Sequence, residues 1–393
     1  MSKKNDIVII GGGVVGASVA YHLSERGVRD VVILEREDVQ GLGSTGKATG
    51  GVRAQFETDI NVKMSMYSID FFKNWSFDCG YDPKGYLFFT TKDETLELLR
   101  ENVRKQNALG VADVELIDVD SIKKMVPGMN CDDIVGASFR QSDGFIDPVA
   151  VMDGFTQAAA DRGVRMSFGV TVTSINQVGR KIRSVSTNKG EIECSTVVLC
   201  AGAWAKSIGA TAGVDLPVEP LRRQIVWGRT KDDLPTNLPM VIDLDCGFHF
   251  RPGREFGKGV ASRPDSKDIV FAFPDTAEMP SFNFDFDESF ISKVRDKAKH
   301  RAQFLFETEI VREKCRAGLY ENTPDHHAIL GGCEIEGLYF ANGFSGHGVM
   351  HSPATGRALA EIILDGEASF LDVSSLRLDR FANGKMFRES AYI

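Results

Sequence analysis

Two short hydrophobic runs near the start of the chain are separated by glycines and other small residues. Residues 7–10 and 31–34 contain only Val, Ile and Leu and have the length of buried strands. Between them, residues 14–20 combine small and apolar side chains, as in a helix packed closely against a strand. The pattern therefore predicts a strand, a glycine-rich turn, a helix and a second strand.

Helix and strand patterns then alternate along the chain. Helices are predicted over residues 60–78, 92–107, 149–162 and 288–304, with a final helix from about Pro353 to Ile363. Strands are predicted over residues 85–90, 197–201, 224–228, 247–251, 269–273 and 338–342, with a hairpin turn at 188–190. These elements favour an α/β fold in which a Rossmann-like domain is interleaved with an α+β domain built on a mostly antiparallel sheet.

Charge and hydropathy exclude several classes of partner. The 393 residues carry a net charge of −9 without a visible cluster of Lys and Arg, so no nucleic acid partner is expected. The longest apolar stretches fall well short of the ~20 residues that a membrane helix needs, so no transmembrane segment is expected. Because residues 1–5 lead directly into a strand without a signal-peptide core, we expect a cytoplasmic protein.

The seven cysteines are scattered and form no C-x-x-C pair. This usage favours free thiols in a reducing compartment over a disulfide framework or a zinc site. Asp325, His326 and His327 suggest a metal site, but adjacent histidines on an extended segment point to opposite sides. No metal is therefore predicted.

The turn after the first strand contains a nucleotide-binding pattern. Gly11, Gly13 and Gly16 occupy the G-x-G-x-x-G register, which allows a tight turn, close backbone approach to a pyrophosphate and close packing of helix on strand. The N terminus of the following helix would face the diphosphate. Glu35 ends the second strand, where a carboxylate accepts hydrogen bonds from an adenosine ribose. FAD and NAD both fit this pattern.

A second glycine-rich stretch covers residues 41–53. It is either a flexible surface loop or a loop held against the cofactor, with the hydroxyls of Ser44 and Thr45 bonded to cofactor oxygens. Arg53 closes the stretch. A single arginine is commonly a surface charge, yet an arginine next to a cofactor can hold a substrate carboxylate through paired hydrogen bonds.

Two later stretches repeat the combination of a strand and a small-residue turn. The run 197–201 ends at Gly202-Ala203-Trp204, and the run 338–342 leads through residues 343–350 into the final helix. Open α/β sheets bind ligands at such strand ends, and a helix N terminus beside them attracts anionic groups. A second glycine-rich turn before a helix favours a large cofactor that is bound at both of its ends.

Together these motifs resemble the FAD-dependent amine and amino-acid oxidase family, which includes sarcosine oxidase, glycine oxidase, dimethylglycine dehydrogenase and the β subunit of dye-linked L-proline dehydrogenase. The resemblance is closest to the sarcosine oxidase and proline dehydrogenase β-subunits. It covers nearly the whole chain and is most specific at residues 343–348 (GFSGHG), which in that family pass under the flavin ring. The fingerprint with Glu35 and residues 44–53, 197–204 and 318–325 also contribute to it.

The resemblance implies non-covalent, extended FAD and hydride transfer to flavin N5 from the Cα or N-methyl carbon of an amine, which becomes an imine. The implied substrate is a secondary or N-methylated amino acid, such as proline or sarcosine. Arg53 would bind its carboxylate, with His249, Tyr320 and His347 near the reacting centre. Besides the fingerprint residues, Ser44 and Thr45, the implied cofactor-binding residues are Val14, Val15, Arg36, Gly50, Gly51, Val172, Ala201, Gly202, Trp204, Gly318, Asp325, Gly346, His347, Gly348, Val349 and Met350.

Four positions depart from members of this family. Gly318 stands where monomeric sarcosine oxidases have the cysteine bonded to FAD, so no thioether is expected. Met350 replaces a lysine that helps to hold the carboxylate, which leaves Arg53 as the main anion partner. Tyr320 replaces an arginine of glycine and D-amino-acid oxidases, which counts against those two activities. His249 replaces a frequent tyrosine and is either a polar pocket wall or a strand histidine bonded to a neighbour.

We predict an FAD-binding domain formed by residues 1–85, 143–215 and 318–393, and a substrate-binding domain formed by 86–142 and 216–317. The expected partners are a small amino-acid substrate and either an electron acceptor or a partner subunit. Three alternatives stay open: an FAD-dependent 2-hydroxy-acid dehydrogenase on the same fold, a flavin-carrying electron-transfer subunit of a hetero-oligomer, and an NAD-binding dehydrogenase.

Overall fold

The structure, a computed structural model, describes residues 5–254 and 265–389. The strands in these ranges are β1 (Asn5–Ile10), β2 (Val31–Leu34), β3 (Gly51–Val52), β4 (Tyr86–Thr90), β5 (Val114–Ile117), β6 (Gly136–Arg140), β7 (Gly144–Phe145), β8 (Arg165–Ser167), β9 (Val172–Val178), β10 (Lys181–Thr187), β11 (Gly190–Leu199), β12 (Glu219–Arg229), β13 (Met240–Asp243), β14 (His249–Pro252), β15 (Asp268–Ala272), β16 (Glu309–Ile310), β17 (Arg316–Asn322), β18 (Ile329–Gly332) and β19 (Leu338–Asn342). The α-helices are α1 (Val14–Glu25), α2 (Ser44–Lys47), α3 (Asp59–Asn74), α4 (Asp93–Ala108), α5 (Val119–Met125), α6 (Pro148–Asp161), α7 (Ala205–Thr211), α8 (Ser289–Arg301), α9 (Gln303–Phe306) and α10 (Gly348–Asp365).

The first sheet is built around β1, which lies between β11 and β2 and pairs in parallel with both. The strand order is β18-β19-β11-β1-β2-β8. β10 pairs antiparallel with β11 through the predicted hairpin at residues 188–190, and β9 pairs antiparallel with β10. Alternate residues of β1 enter different cores: Ile7 and Ile9 pack with α1 and α10, whereas Val8 and Ile10 pack on the opposite face. Burial on both faces explains the continuous apolar run in the sequence.

Small residues bring α1 and α10 into close contact. A Cβ added at Gly356 of α10 would lie 2.3 Å from the Ser18 hydroxyl oxygen of α1. The same hydroxyl donates to the Ser352 carbonyl over 2.7 Å. The helices that begin at the two glycine-rich turns are therefore packed directly on each other.

The second sheet has the order β16-β12-β15-β14-β13-β4-β6-β5, and β17 pairs with the first half of β12. In this order β13 and β4 run parallel, and the other neighbouring strands of the described residues pair antiparallel. This confirms the predicted fold class, a Rossmann-like unit combined with a mostly antiparallel sheet. The domain boundaries stay a prediction. By its hydrogen bonds β17 belongs to the second sheet, although residues from 318 onward are assigned above to the FAD-binding domain.

The last helix begins earlier than the sequence suggests. It starts at Gly348, so the prediction of a start near Pro353 is wrong, and the proline lies inside the first turns. Proline cannot donate to the carbonyl four residues earlier, which belongs to Val349. The Ser352 hydroxyl donates to that carbonyl over 2.8 Å, so no acceptor is left unpaired.

The C-terminal segment is attached by a buried ion pair. The Arg380 guanidinium donates to Asp325 over 2.8 and 3.0 Å, and the side chains are 3% and 2% exposed. A further bond of 2.9 Å joins Arg380 to the His327 carbonyl. Arg380 therefore connects the chain end to the turn that follows β17.

We expect Arg380→Met to lower the free energy of unfolding by about 3–5 kcal/mol, because the buried Asp325 carboxylate loses its counter-charge. Urea denaturation measures this change. Arg26→Met is the matched control, since Arg26 and Asp365 form an exposed pair, 43% and 46% accessible, worth at most about 1 kcal/mol. Equal losses of stability from the two substitutions would show that the buried Arg380–Asp325 pair contributes no more than an exposed one.

Candidate functional site

A continuous cavity lies between the two sheets and extends from the start of α1 to the start of α10. It is lined by residues that follow the carboxyl ends of β1, β2, β11 and β19, including Gly11, Glu35, Ala201 and Phe344. The face of the second sheet forms the opposite wall. A ligand at the carboxyl ends of parallel strands is the arrangement expected of an open α/β sheet.

Glycine permits a close backbone approach at the first end of the cavity. Gly11 has φ +105, and a Cβ at this position would lie 2.3 Å from the Cys200 carbonyl oxygen. A Cβ at Gly16 would lie 2.1 Å from the Gly11 carbonyl oxygen, so Gly16 supports the turn from behind and does not line the cavity. Gly13 caps α1 without a side-chain hydrogen bond. The Val14 amide donates to the Thr45 hydroxyl, and the next N–H groups of α1 have no partner within the helix, so this N terminus can bind an anionic ligand.

The Glu35 carboxylate is fixed by the backbone of the neighbouring turns. It accepts hydrogen bonds from the Gly12 amide over 2.9 Å and from the Glu37 amide over 3.0 Å. Carboxylate oxygens have further lone pairs, so Glu35 can also accept hydroxyl groups of a ribose. Beside it, the Arg36 guanidinium lies 3.6 Å from the Trp204 ring centroid.

The glycine-rich stretch 41–53 is not a flexible loop, because it contains α2 and crosses the cavity. Its hydroxyls bond to the protein: Ser44 donates to the Leu319 carbonyl over 2.7 Å, and Thr45 accepts from the Val14 amide over 3.1 Å. Both residues also line the cavity. The stretch therefore connects the start of α1 with β17.

The second end of the cavity is the turn before α10. Gly346 has φ +93, and a Cβ there would lie 2.5 Å from the Tyr320 ring. The helix begins at Gly348 after His347, again without a side-chain cap. Its first N–H groups have no partners within the helix, so this N terminus can stabilise negative charge on a ligand.

Arg53 is a cation held inside the protein. It is 4% exposed, donates to the Gln55 carbonyl, and lies 3.9 Å from the Phe56 ring centroid and 5.2 Å from that of Phe88. Burial lowers its pKa, but a guanidinium stays charged at neutral pH. Arg53 also lines the cavity.

The histidines near Arg53 are neutral. Burial, followed by the charge of Arg53, holds the pKa of His347 well below its usual range and lowers the pKa of His351 to about 3. The His351 ring nitrogen Nε2 lies 2.8 Å from the Ser65 hydroxyl. The charge of Arg53 also interacts with the carboxylates of Glu389 and Asp143, whereas the neighbouring histidines carry no charge at neutral pH.

A buried polar network positions the Arg53 segment. The Asp143 carboxylate accepts from the Ala54 amide over 2.8 Å, from the Gln55 amide group over 3.1 Å and from Arg140 over 2.6 Å. Gln55 also donates to the Tyr86 carbonyl over 3.0 Å. Because Tyr86 belongs to β4, the network connects Arg53 to the second sheet.

His249 stands on the cavity wall between Ala272 and Ile242. Its Nδ1 lies 2.8 Å from the Gly247 carbonyl, which only accepts, so Nδ1 carries the proton. Burial, then Arg251 and Arg223, lowers the pKa of His249. The neutral ring consequently has Nε2 as a hydrogen-bond acceptor.

All the sequence-predicted site residues except Gly16 and Asp325 line this one cavity. The Asp325 carboxylate is bonded to Arg380 and so points away from it. The lining residues that were not predicted include Arg223 and Glu321. Arg223 had no local signal, whereas Glu321 lies directly after Tyr320 in a stretch already singled out.

The described residues contain all seven cysteines of the chain. All seven cysteines are free, and Cys315 packs against the Trp227 backbone, outside the cavity lining. No group of three His, Cys, Asp or Glu in these ranges could hold a metal ion. Nor is any helix there long and apolar enough to cross a bilayer.

Within residues 5–254 and 265–389, no cation forms an ion pair with the Glu321 carboxylate. Its Oε2 is buried without a hydrogen-bond partner, and a Cβ at Gly202 would lie 3.8 Å from that atom. Burial raises the pKa of Glu321 to about 7, although the amides of Gly343 and Phe344 oppose the shift. The folded, FAD-free protein therefore binds a proton here more tightly than the unfolded chain does.

We expect this proton to make the FAD-free protein lose stability as the pH rises from the ordinary glutamate range to about 7. Glu321→Gln removes the titrating group, so its advantage over the wild type should increase between pH 4.5 and pH 8. Urea denaturation at several pH values measures the difference. A difference that does not vary with pH would contradict the assignment.

The fold and the cavity define a protein that binds a dinucleotide. The helix N termini at the two glycine-rich turns, the close approach at Gly11 and the ribose acceptor Glu35 fit FAD. The family described as DAO, FAD dependent oxidoreductase, matches residues 6–362. The chain belongs to this family and is an FAD-dependent oxidoreductase of the amino-acid dehydrogenase type.

Three similar proteins illustrate the relationship. An "FAD-dependent oxidoreductase domain-containing protein 1" of Xenopus laevis is 32% identical over 96% of this chain and 83% of that protein. The mitochondrial sarcosine dehydrogenase of Mus musculus is 28% identical, covering 96% of this chain and 41% of that protein. The crystal structure of L-proline dehydrogenase from P. horikoshii superposes with a TM-score of 0.88 at 30% identity, covering 99% of this chain and 100% of the other.

Proposed function

We propose that the protein oxidises a secondary or N-methylated amino acid, similar to proline or sarcosine, to an imine. The observation that carries this proposal is the buried Arg53 cation on the cavity wall, near the neutral His347 and His351. Similarity to a sarcosine dehydrogenase and an L-proline dehydrogenase supports the same substrate class.

Arg53 binds the substrate carboxylate through two parallel hydrogen bonds. Its guanidinium is held by the Gln55 carbonyl and by the rings of Phe56 and Phe88, so it does not reorganise when the substrate binds. This contact orients the carbon to be oxidised. The fixed position of this cation thus determines both the affinity for the substrate and the orientation of its reacting carbon.

The bound FAD supplies the acceptor for a hydride from the substrate carbon. In the same oxidation the substrate nitrogen loses a proton and forms the C=N bond, and water then hydrolyses the imine. An unprotonated amine is required, and the neutral His249 can accept a hydrogen bond from its N–H group. Tyr320 and the other aromatic residues of the cavity lining, Tyr86, Phe273 and Phe344, exclude water from the reacting atoms.

We propose that FAD is held without a covalent bond. Gly318 lines the cavity but has no side chain, and Cys315 packs outside the lining. His347 and the N terminus of α10 stabilise negative charge at the redox end of the cofactor. We further propose a cytoplasmic location and electron transfer to a separate acceptor or partner protein.

We expect Arg53→Ala to weaken substrate binding by about tenfold to a hundredfold, the equivalent of losing hydrogen bonds to a charged group worth ~1.5–3 kcal/mol. Stopped-flow flavin reduction by L-proline and by pyrrolidine, which lacks the carboxylate, measures the effect. The variant should lose its preference for proline over pyrrolidine. Its visible FAD spectrum verifies that the fold and cofactor are intact.

An Arg53→Ala protein with FAD bound and an unchanged kcat/KM for proline would refute the carboxylate contact. Arg140→Gln is a matched control for disturbance of the neighbouring network, because Arg140 bonds to Asp143 without lining the cavity. If Arg140→Gln weakened substrate binding as much as Arg53→Ala, the loss would come from disturbance of the network and not from a lost contact between Arg53 and the carboxylate.

A further inference from the structure

Glu321 lines the cavity between the glycine-rich turns at its two ends. A Cβ at Gly202, which follows β11, would lie 3.8 Å from the Glu321 Oε2. The Glu321 backbone carbonyl accepts from the Ser345 amide, in the turn before α10, over 3.1 Å. Its charge, after burial, raises the pKa of the Cys200 thiol, and the Cys200 carbonyl lies against the Gly11 turn. Glu321 is therefore placed between the turn that begins α1 and the turn that begins α10.

The Glu321 carboxyl group has an unused acceptor atom. Its Oε2 is buried and has no hydrogen-bond partner among the described residues. Burying such an atom without a partner costs free energy, and the cost is larger when the group is charged. Burial accordingly raises the pKa of Glu321 to about 7. A ligand group that donates a hydrogen bond to this carboxylate would stabilise its ionised form.

Charged side chains on the elements packed against Glu321 interact with other groups. On β12, the Arg222 guanidinium forms an ion pair with Glu278 over 2.6 Å. On α2, the charge of Lys47 interacts with Asp285. These two cations therefore have carboxylate neighbours other than Glu321.

The remaining titratable groups nearby do not set the pKa of Glu321 either. Arg223 of β12 packs on the Tyr320 ring, with its Cζ 5.5 Å from the ring centroid. In the turn before α10, burial holds the pKa of His347 well below its usual range, so this histidine is neutral. The pKa of Glu321 is thus determined by burial, which the amides of the turn after β19 partly oppose.

We propose that the Glu321 carboxylate accepts a hydrogen bond from a hydroxyl group of the ribityl chain of FAD. An FAD molecule with its diphosphate at the start of α1 and its flavin at the start of α10 would have this chain in the part of the cavity that Glu321 lines. Ribityl hydroxyls are neutral donors, whereas the diphosphate would be repelled by a carboxylate. Binding of FAD then releases to solvent the proton that the FAD-free protein holds here. The assignment concerns the cofactor and does not depend on the substrate proposed above.

Equilibrium release of FAD from the holoprotein tests this contact, with the fluorescence of free flavin as the readout. Because FAD competes with a proton whose pKa is about 7, FAD should bind about tenfold more tightly at pH 8 than at pH 6. Glu321→Gln should weaken binding about tenfold at pH 8 and should bind FAD equally at the two pH values. Glu219→Gln, at an exposed residue of the neighbouring β12, is the matched control and should retain the wild-type pH dependence.

An FAD analogue whose linking chain lacks hydroxyl groups tests which part of the cofactor is bound. At pH 7, FAD binding should release about half a proton, measured by calorimetry in buffers of different ionisation enthalpy, and the analogue should release none. An FAD affinity that does not rise from pH 6 to pH 8, or a rise that Glu321→Gln retains, would overturn the role of Glu321. Equal proton release by FAD and the analogue would overturn the hydroxyl contact. Neither readout involves turnover, so failure of amine oxidation would leave this assignment standing.

Discussion

The structure depends on one constraint: two helices must begin at the same edge of a parallel sheet. The order β19-β11-β1-β2 places the carboxyl ends of these strands together, so α1 and α10 start at opposite ends of one cavity. The close contact of Ser18 with Gly356 fixes the helices against each other. An anionic cofactor can therefore meet a helix N terminus at each end, without a cluster of basic residues.

The substrate side follows a different electrostatic principle. Its cations are guanidinium groups whose charge does not depend on pH, while burial keeps the nearby histidines neutral. Asp143 and Gln55 tie the Arg53 segment to the second sheet, so the position of this cation relative to the cavity is set by packing. Under the proposed function, the substrate carboxylate meets a cation whose position is fixed before binding, which is the condition for efficient orientation.

Sequence patterns predicted the elements whose structure depends on residues close together in the chain. The fingerprint, Glu35 and the hairpin after β10 are continuous in sequence, and the structure places them as expected. The start of α10 was missed because Ser352 compensates for Pro353, a contact that periodicity does not show. Arg223 was missed because its place depends on the register of β12 with β17, about a hundred residues away. Asp325 was assigned to the cofactor because its partner, Arg380, becomes a neighbour only through folding.

Amine oxidation by the bound flavin is the central claim, and an anaerobic reductive titration tests it most directly. The purified yellow protein is mixed with L-proline, sarcosine or N-methyl-L-glutamate, and the flavin absorbance is followed. A parallel titration with 2-hydroxyglutarate tests the alternative reaction, oxidation of a 2-hydroxy acid. We expect an N-substituted amino acid to bleach the flavin and the hydroxy acid to leave it oxidised. A flavin bleached by 2-hydroxyglutarate alone would contradict it.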